Sequence, residues 1–341
     1  MVQYIKIQKK EGKILYVVGL VGPFGSGCSY VAKKIVENHG YEYLSLSDVL
    51  REEYKKENPN KRKIARKDLQ DFGDKIREAK GADYLAQIVC KKIKQDTTKN
   101  YVVDSIRNPE EINCLRKSFA EFFLFGVFAE PDLRWKRVKE KYDDIAVVCY
   151  INSTALLKSH SDVCVTSANA VKVVKALPNK NILFIPDENL GRYVASQIPE
   201  KNFIFNPGFC PIHKGISAAE LAECKKKFPD AEVLTHPECT QDVLALSDFI
   251  GSTSGIIKYA GESKAASFII CTECGVLYEL RERYPDKTFY TVGLPTCVNM
   301  KKVTLEKILD VLKTGKNEIF LDNDLKDKAL ASLDKMLELA K

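Results

Sequence analysis

Residues from Tyr142 to about Leu312 are written twice, and that duplication limits the fold more than any other feature of the chain. Shifting the sequence on itself by 86 residues aligns Asp144 with Asp230, Val147 with Val233, and Ser161-Asp162 with Ser247-Asp248. The same shift aligns Lys172 with Lys258, Pro199 with Pro285, Lys201 with Lys287 and Phe203 with Phe289. Polar groups align as well: Tyr150 with His236, Asn152 with Glu238, and Ser167 with Thr253. Cys210 meets Cys297 after one inserted residue. A single offset held over such a span marks duplicated supersecondary units. Packing alone does not require matching polar residues at matching strand ends. The pairs therefore point to a site on a pseudo-symmetry axis, with one contribution from each copy.

Each copy opens with a β-branched strand. Ile145–Cys149 leads into Tyr150-Ile151-Asn152, and Glu232–Thr235 leads into His236-Pro237-Glu238. A helix and a short strand follow, the strand running from Val163 toward Ser167-Ala168-Asn169-Ala170 or from Phe249 toward Thr253-Ser254-Gly255. A second helix, a strand (Asn181–Ile185 or Ser267–Cys271), a third helix, another short strand and the cysteine complete the unit. Alternating elements with buried strands predict a small parallel sheet covered by helices on both faces. In such sheets the carboxyl ends of the strands line the ligand crevice. Tyr150, Asn152, Ser167, His236, Glu238 and Thr253 all fall at those ends. The competing reading of Ser167 and Thr253 is that they are helix N-caps. The expected class is α/β: a front domain over 1–141, then two three-layer α/β/α repeats over 142–227 and 228–341.

The 341 residues suffice for two or three domains, and 45% hydrophobic with 29% charged residues is ordinary for a soluble protein. No apolar run approaches the roughly 18 residues of a membrane helix. Met1–Lys6 lacks the charged-then-apolar pattern of a signal peptide. A cytoplasmic location is expected, with no membrane and no nucleic-acid partner. Eleven cysteines then read as thiols or metal ligands rather than disulfides. The entire net charge of +7 falls before residue 145. That fits a phosphate-handling front unit, or simply a solvated lysine-rich surface.

Ile14–Leu20 is an unbroken apolar run, read as a buried strand. It feeds Gly22-Pro23-Phe24-Gly25-Ser26-Gly27-Cys28-Ser29 and then a helical pattern from Tyr30. Strand, glycine-rich turn and helix form the setting of a phosphate loop, in which backbone N–H groups and the helix N-terminus face anionic oxygens. Gly22, Gly27 and Ser29 are the candidate contacts, Ser29 carrying the hydroxyl that would hold magnesium. Cys28 stands where a lysine would reach the outer phosphates. The alternative is a plain strand-to-helix turn. Tyr101–Asp104 puts an acid at the end of a second strand, Phe122–Phe128 reads as a third, and Arg134-Trp135-Lys136-Arg137 lies on the helix after it. This region resembles nucleoside-monophosphate-kinase-like P-loop domains, which implies a nucleotide with magnesium at the loop.

The repeated region carries a second resemblance. Tyr150-Ile151-Asn152, Thr166–Ala170, Pro186–Arg192 and Gly208-Phe209-Cys210-Pro211-Ile212-His213 look like quinolinate synthase. So do His236-Pro237-Glu238-Cys239, Gly251–Gly255 and Cys297-Val298-Asn299-Met300-Lys301-Lys302. The resemblance implies three similar α/β domains about a pseudo-threefold axis. It implies a 4Fe–4S cluster held by one cysteine from each domain, with Cys210 and Cys297 matching two of them. It further implies condensation of iminoaspartate with dihydroxyacetone phosphate to quinolinate in NAD biosynthesis, an aspartate oxidase or dehydrogenase supplying the iminoaspartate. By that resemblance Tyr150, His236 and Glu238 would handle protons. Tyr150, Ile151, Asn152, Ser167, His236, Pro237, Glu238 and Thr253 would line the substrate site.

Stepping the repeat once more toward the N-terminus puts Phe123-Leu124 where a third cysteine belongs and Ile64 where Tyr150 has its counterpart. The first synthase domain is absent, and the P-loop domain stands in its place. The join falls within Lys139–Asp144. Cys149 and Cys164 read as core, Cys271 and Cys274 as a C-x-x-C that could hold zinc or act in redox, and Cys239 as a neighbour of the site. His39, His160 and His213 read as lone surface or supporting histidines. Helical periodicity over Leu305–Leu312 and Leu325–Leu339 predicts a tail closing over the repeats. Three classes stay open: an iron–sulfur quinolinate synthase or a remnant of one, a P-loop nucleotide-binding or phosphotransfer protein with a passenger C-terminal half, and a non-catalytic dicarboxylate-binding protein.

Overall fold

The computed structural model describes residues 14–61, 64, 66–142 and 144–341. Met1–Lys6, the leader reading, and Asp143 of the join lie outside the described residues. The chain divides into two compact units, Met1–Lys141 and Tyr142–Lys341.

The first unit is built on four parallel strands: β1 (Val17–Val21), β2 (Glu42–Ser45), β3 (Tyr101–Asp104) and β4 (Phe122–Gly126), in the order β2-β3-β1-β4. β1 starts three residues later than the apolar run suggested. β4 stops at Gly126, and Phe128 beyond it is exposed. Val17, Val103 and Tyr101 pack against Val89, Ile93 and Leu115 of the helices Tyr84–Gln95 and Pro109–Ser118. On the other face Val18, Leu20 and Val102 meet Ala32 of Cys28–His39. Inserting β3 beside β1 brings the end of the second strand next to the glycine-rich turn.

The second unit holds two parallel sheets with one topology. β5 (Ile145–Tyr150), β6 (Val163–Val165), β7 (Asn181–Ile185) and β8 (Asn202–Phe205) run in the order β6-β5-β7-β8. β9 (Glu232–Thr235), β10 (Phe249–Ile250), β11 (Ser267–Cys271) and β12 (Thr288–Thr291) run β10-β9-β11-β12. The front sheet has another order, so it is not a third copy. The chain is α/β throughout the described residues.

The structure explains why the aligned residues recur. Asp162 Oδ2 accepts the Val147 N–H at 2.7 Å, and Asp248 Oδ2 accepts the Val233 N–H at 2.7 Å. Each acid thus serves a donor at the start of a central strand. Lys201 Nζ donates to Leu177 O and Asn179 O, and Lys287 Nζ to Ala260 O and Ser263 O. Those bonds satisfy carbonyls at the ends of equivalent helices. The tail differs from expectation. Asn323–Leu339 packs chiefly on the first sheet's side, against Ala155–Ser159 and β6, with Ser332 Oγ 3.2 Å from Cys164 Sγ. Leu305–Thr314 buries no residue, so its apolar periodicity finds no partner among the described residues.

Asp248→Ala leaves the Val233 N–H inside a central strand without its acceptor. We expect a loss of about 1–3 kcal/mol, read as an earlier denaturant midpoint for the second unit. An unchanged midpoint would show that the acid is not what satisfies that strand.

Candidate active site

Tyr150 closes β5 and His236 follows β9 directly, so the duplication delivers a phenol and an imidazole to equivalent strand ends. Tyr150 is buried and accepts a hydrogen bond from Asn152 Nδ2 at 3.1 Å. Burial pushes its phenol well above the ordinary range, and the nearby Glu238 carboxylate adds to this, while the Ser167 hydroxyl opposes it. Residues of the first sheet and of the second therefore face one another within one unit.

Cys210 heads the short helix Pro211–Lys214, and its N–H donates to Asp187 Oδ2 at 2.8 Å. Cys297 repeats the arrangement, its N–H donating to Glu273 Oε1 at 3.2 Å. Asp187 and Glu273 are themselves one repeat apart. Both cysteines are half-buried. Asp187 also caps the helix Glu188–Gln197 through the Leu190 N–H at 2.7 Å. Burial raises its carboxyl to about 6.

Glu238 is buried beside two imidazoles. Its Oε2 lies 3.2 Å from His213 Nδ1 and 3.3 Å from His236 Nδ1. The two rings stack at 4.4 Å between centroids and 18° between planes. His213 Nε2 is 3.0 Å from Thr272 Oγ1. The Asn189 amide donates to Glu238 O at 3.1 Å. The stacked rings differ in charge. Burial, and then the charge of His213, drives His236 down to about 3, so it is neutral. Its Nδ1 accepts the Glu238 N–H at 3.3 Å, which places its proton on Nε2. Burial would lower His213 too, but the Cys210 thiol and the Glu238 carboxylate outweigh it and raise His213 to about 9. Burial opposes ionisation of the Cys210 thiol, yet the His213 hydrogen bond and charge outweigh it and lower the thiol. Thiol, imidazolium and carboxylate thus form one buried, mutually stabilising group.

Ser167 is not a helix cap: Asn169 occupies that place for Ala170–Ala176, and Ser252 caps Thr253–Glu262 by accepting the Gly255 N–H at 3.2 Å. Thr253 is the first residue inside its helix, and exposed. Ile151 donates its N–H to Val165 O at 2.8 Å, and Pro237 is buried. Cys271 is core, Cys274 Sγ lies 3.4 Å from Thr296 Oγ1, and Cys239 is fully buried. His213 is no surface histidine: it is buried and supports Glu238, the other role the sequence allowed it. Its position three residues after Cys210, on a helix opened by Pro211, puts thiol and imidazole on one face. That spacing was the available signal. Thr272 and Asp187 were missed as supports.

In the first unit the glycine-rich turn joins β1 to Cys28–His39, with Gly27 at φ 101° as the cap and a Gly22 side chain excluded by Val127 O. Ser29 Oγ donates to Asp104 Oδ2 at 2.8 Å, joining the expected metal-holding pair. Arg134 Nε donates to Phe24 O at 2.9 Å, and Arg137 Nη1 to Gly25 O and Ser26 O at 3.1 and 2.9 Å. Guanidinium groups from Pro131–Lys141 thus lie on a loop whose own lysine position is Cys28.

An α/β unit with buried ionisable side chains gathered at parallel strand ends is the framework of a small-molecule enzyme. The family model described as Quinolinate synthetase A protein matches residues 130–338, and the chain belongs to this family of NAD-biosynthetic enzymes. The model described as AAA domain matches residues 21–145. Quinolinate synthase of Clostridioides difficile is 50% identical over 205 residues, 60% of this chain and 67% of that protein. Quinolinate synthase of Fusobacterium nucleatum is 47% identical over 235 residues, 69% of this chain and 78% of that protein. Quinolinate synthase of Caldicellulosiruptor saccharolyticus is 40% identical over 281 residues, 80% of this chain and 90% of that protein. Family membership sets aside the reading of the C-terminal half as a passenger. No helix among the described residues is long and apolar enough to cross a membrane.

A pH prediction follows from His236. It takes a proton near 6.5 when unfolded and only near 3 when folded. Its contribution to stability is therefore complete above 6.5 and is lost as pH falls toward 3. His236→Asn should lose less stability than the parent between about pH 7 and about pH 4.5, compared by denaturant midpoint. Equal losses would mean the folded ring is already protonated.

Proposed function

We propose that this chain carries the second and third domains of a quinolinate synthase, over 142–227 and 228–341, behind a P-loop domain over 1–141. The reaction joins iminoaspartate to dihydroxyacetone phosphate, and atom balance requires loss of phosphate and two waters. One observation carries the reading: Tyr150 and its neighbours from one copy face His236 and Glu238 from the other across a buried, charge-bearing group. Asn152, Ser167 and Thr253 hold the carboxylates and phosphate, with Ile151 and Pro237 lining the site beside them. The neutral His236 offers its proton at Nε2, Glu238 accepts, and the His213 imidazolium donates. The Tyr150 phenol stays protonated and available to donate.

Cys210 and Cys297 suit a shared cluster, because both are half-buried thiols with the N–H fixed by a strand-end carboxylate. A cubane is held by more than two thiolates. Among the described residues of the first unit, Cys90 and Cys114 lie 4.0 Å apart in the helical layer and Cys28 heads a helix. No cysteine occupies the repeat position there. The donor set is one thiolate short, so a complete cluster needs a ligand from beyond the two copies. When bound, a 4Fe–4S cluster supplies an open iron as a Lewis acid.

Anaerobically purified chain should therefore hold little iron and form little quinolinate. Adding a family first domain with its own cysteine should raise iron per chain, visible absorbance and product together. Cys210→Ala and Cys297→Ala should each abolish that gain. A full cluster with fast turnover in the unaided chain would overturn the proposed shortage. Absence of quinolinate despite a full cluster would overturn the synthase assignment.

The front loop is proposed to bind a nucleotide phosphate weakly, Gly22 and Gly27 shaping the backbone and Ser29 with Asp104 orienting magnesium. Cys28→Lys should tighten nucleotide binding, measured by calorimetry, with no rapid phosphoryl transfer in the parent. Unchanged affinity would make the loop a structural turn.

A further inference from the structure

The offset that carries Cys210 onto Cys297 also carries the helix Ala218–Lys227 onto Leu305–Thr314, so the two helices are one element of the repeat. Their starts agree in detail: Ser217 Oγ accepts the Glu220 N–H and Thr304 Oγ1 accepts the Lys307 N–H, each at 3.4 Å. The first helix is seated. Ile216 and Leu221 are buried in one cluster with Val233, Val243 and Leu244 of the second copy, and Ala218 and Cys224 pack against it. At the four matching positions the second helix has Val303, Leu305, Ile308 and Val311, all apolar, and these are 65%, 80%, 45% and 39% exposed. The outward sides match as well. Glu220, Glu223 and Lys226 are exposed on the first helix, and Lys307, Asp310 and Lys313 are exposed at the same positions of the second. Leu305–Thr314 thus has the docking face of its duplicate, with nothing among the described residues to cover it. An apolar stripe of this kind, rimmed by charge, marks an interaction surface.

The seated duplicate identifies the occupant. Ala218–Lys227 leaves the first sheet and covers the opening strand and the first helix, Gln241–Leu244, of the next α/β copy. We propose that the apolar face of Leu305–Thr314 docks in the same way on an α/β domain of the repeat type carried by another polypeptide. A second copy of this chain has no such surface to offer. Its second sheet is already covered there by Ala218–Lys227, and the equivalent place on its first sheet, at Ala155–Ser159 and β6, by Asn323–Leu339. The front sheet has another strand order and is not a domain of that type. Each helix follows its cysteine at the same distance along the chain, so the new interface continues the one that already joins the two copies. This docking rests on the synthase reading only for the identity of the partner and does not require turnover.

The probe is the first domain of the Clostridioides difficile synthase, from the part of that protein outside the 205 matched residues, with its fold checked by circular dichroism. Mixed with the full chain, it should sediment as a one-to-one complex. Leu305→Asp and Ile308→Asp should each weaken the complex roughly tenfold or more, because each puts a charge into an apolar contact. Neither position is buried in the free chain, so both variants should stay folded. Asp310→Lys, on the outward side, should keep the parent affinity. Where the isolated domain does not fold, coexpression replaces mixing, and the domain should copurify with tagged parent and Asp310→Lys but not with Ile308→Asp. No complex by either route, or equal binding by Ile308→Asp, overturns the proposal. So does a chain that dimerises alone and turns monomeric as Ile308→Asp, which would make a second copy the occupant. Quinolinate measured in the same mixtures reports on the synthase reading separately. A complex without product counts against that activity and leaves the docking intact, whereas product insensitive to Ile308→Asp does the reverse.

Discussion

The buried Glu238 carboxylate is the group on which the arrangement of the second unit depends. Removing a carboxylate from water is strongly unfavourable unless opposite charge and hydrogen bonds replace the lost hydration. Here the compensation comes from His213 at 3.2 Å, with His236 stacked beneath it. The acid and the two rings come from different places: Glu238 and His236 from the end of β9, His213 from the segment joining the two sheets. Their approach therefore fixes the second sheet against the chain leaving the first. Stacking two imidazoles in one buried place is tolerable because only one is charged. The neutral ring is left as a hydrogen-bond donor at Nε2 and the charged one as an acid, a division of roles made by burial and neighbours rather than by residue type.

Duplication supplies the framework that makes this possible. The strand order is the same in both sheets, and so are the acids that receive the Val147 and Val233 N–H groups. Each copy also ends in a cysteine whose N–H is tied to an acid beyond the third strand, Asp187 in one and Glu273 in the other. These supports differ by one methylene, and the hydrogen bond is 0.4 Å longer in the second copy, at 3.2 Å against 2.8 Å. The copies have diverged at the strand ends proposed as the substrate site: phenol against imidazole, amide against carboxylate. Divergence there, with the supports retained, lets one architecture offer both donors and acceptors to an unsymmetrical reaction.

The first unit follows another logic. Its strand order sets β3 beside β1, so that Asp104 meets Ser29 at the mouth of the glycine-rich turn. Arg134 and Arg137 bind the carbonyls of Phe24, Gly25 and Ser26 in that turn. Positive charge thus reaches the loop from a different helix than the one that begins at Cys28. The concentration of net charge before residue 145 agrees with such a surface.

Much of this was written plainly in the chain. Apolar runs and a constant offset were enough to place the strands, pair Tyr150 with His236, and show that residues 56–141 are not a third copy, because those signals depend only on neighbours along the sequence. His213 was not visible by that route. One repeat onward its partner is the apolar Met300 in the segment after Cys297, so matching polar residues between copies passes over it. Its importance comes from Thr272, Glu238 and His236, all more than twenty residues away in sequence. The role of Ser252 rather than Thr253 as the cap, and the docking of Asn323–Leu339 chiefly on the first sheet, were hidden for a related reason. Periodicity names an apolar face but not the surface that covers it. Charge states are the extreme case, since two histidines of identical chemistry are driven in opposite directions by the groups that folding places around them.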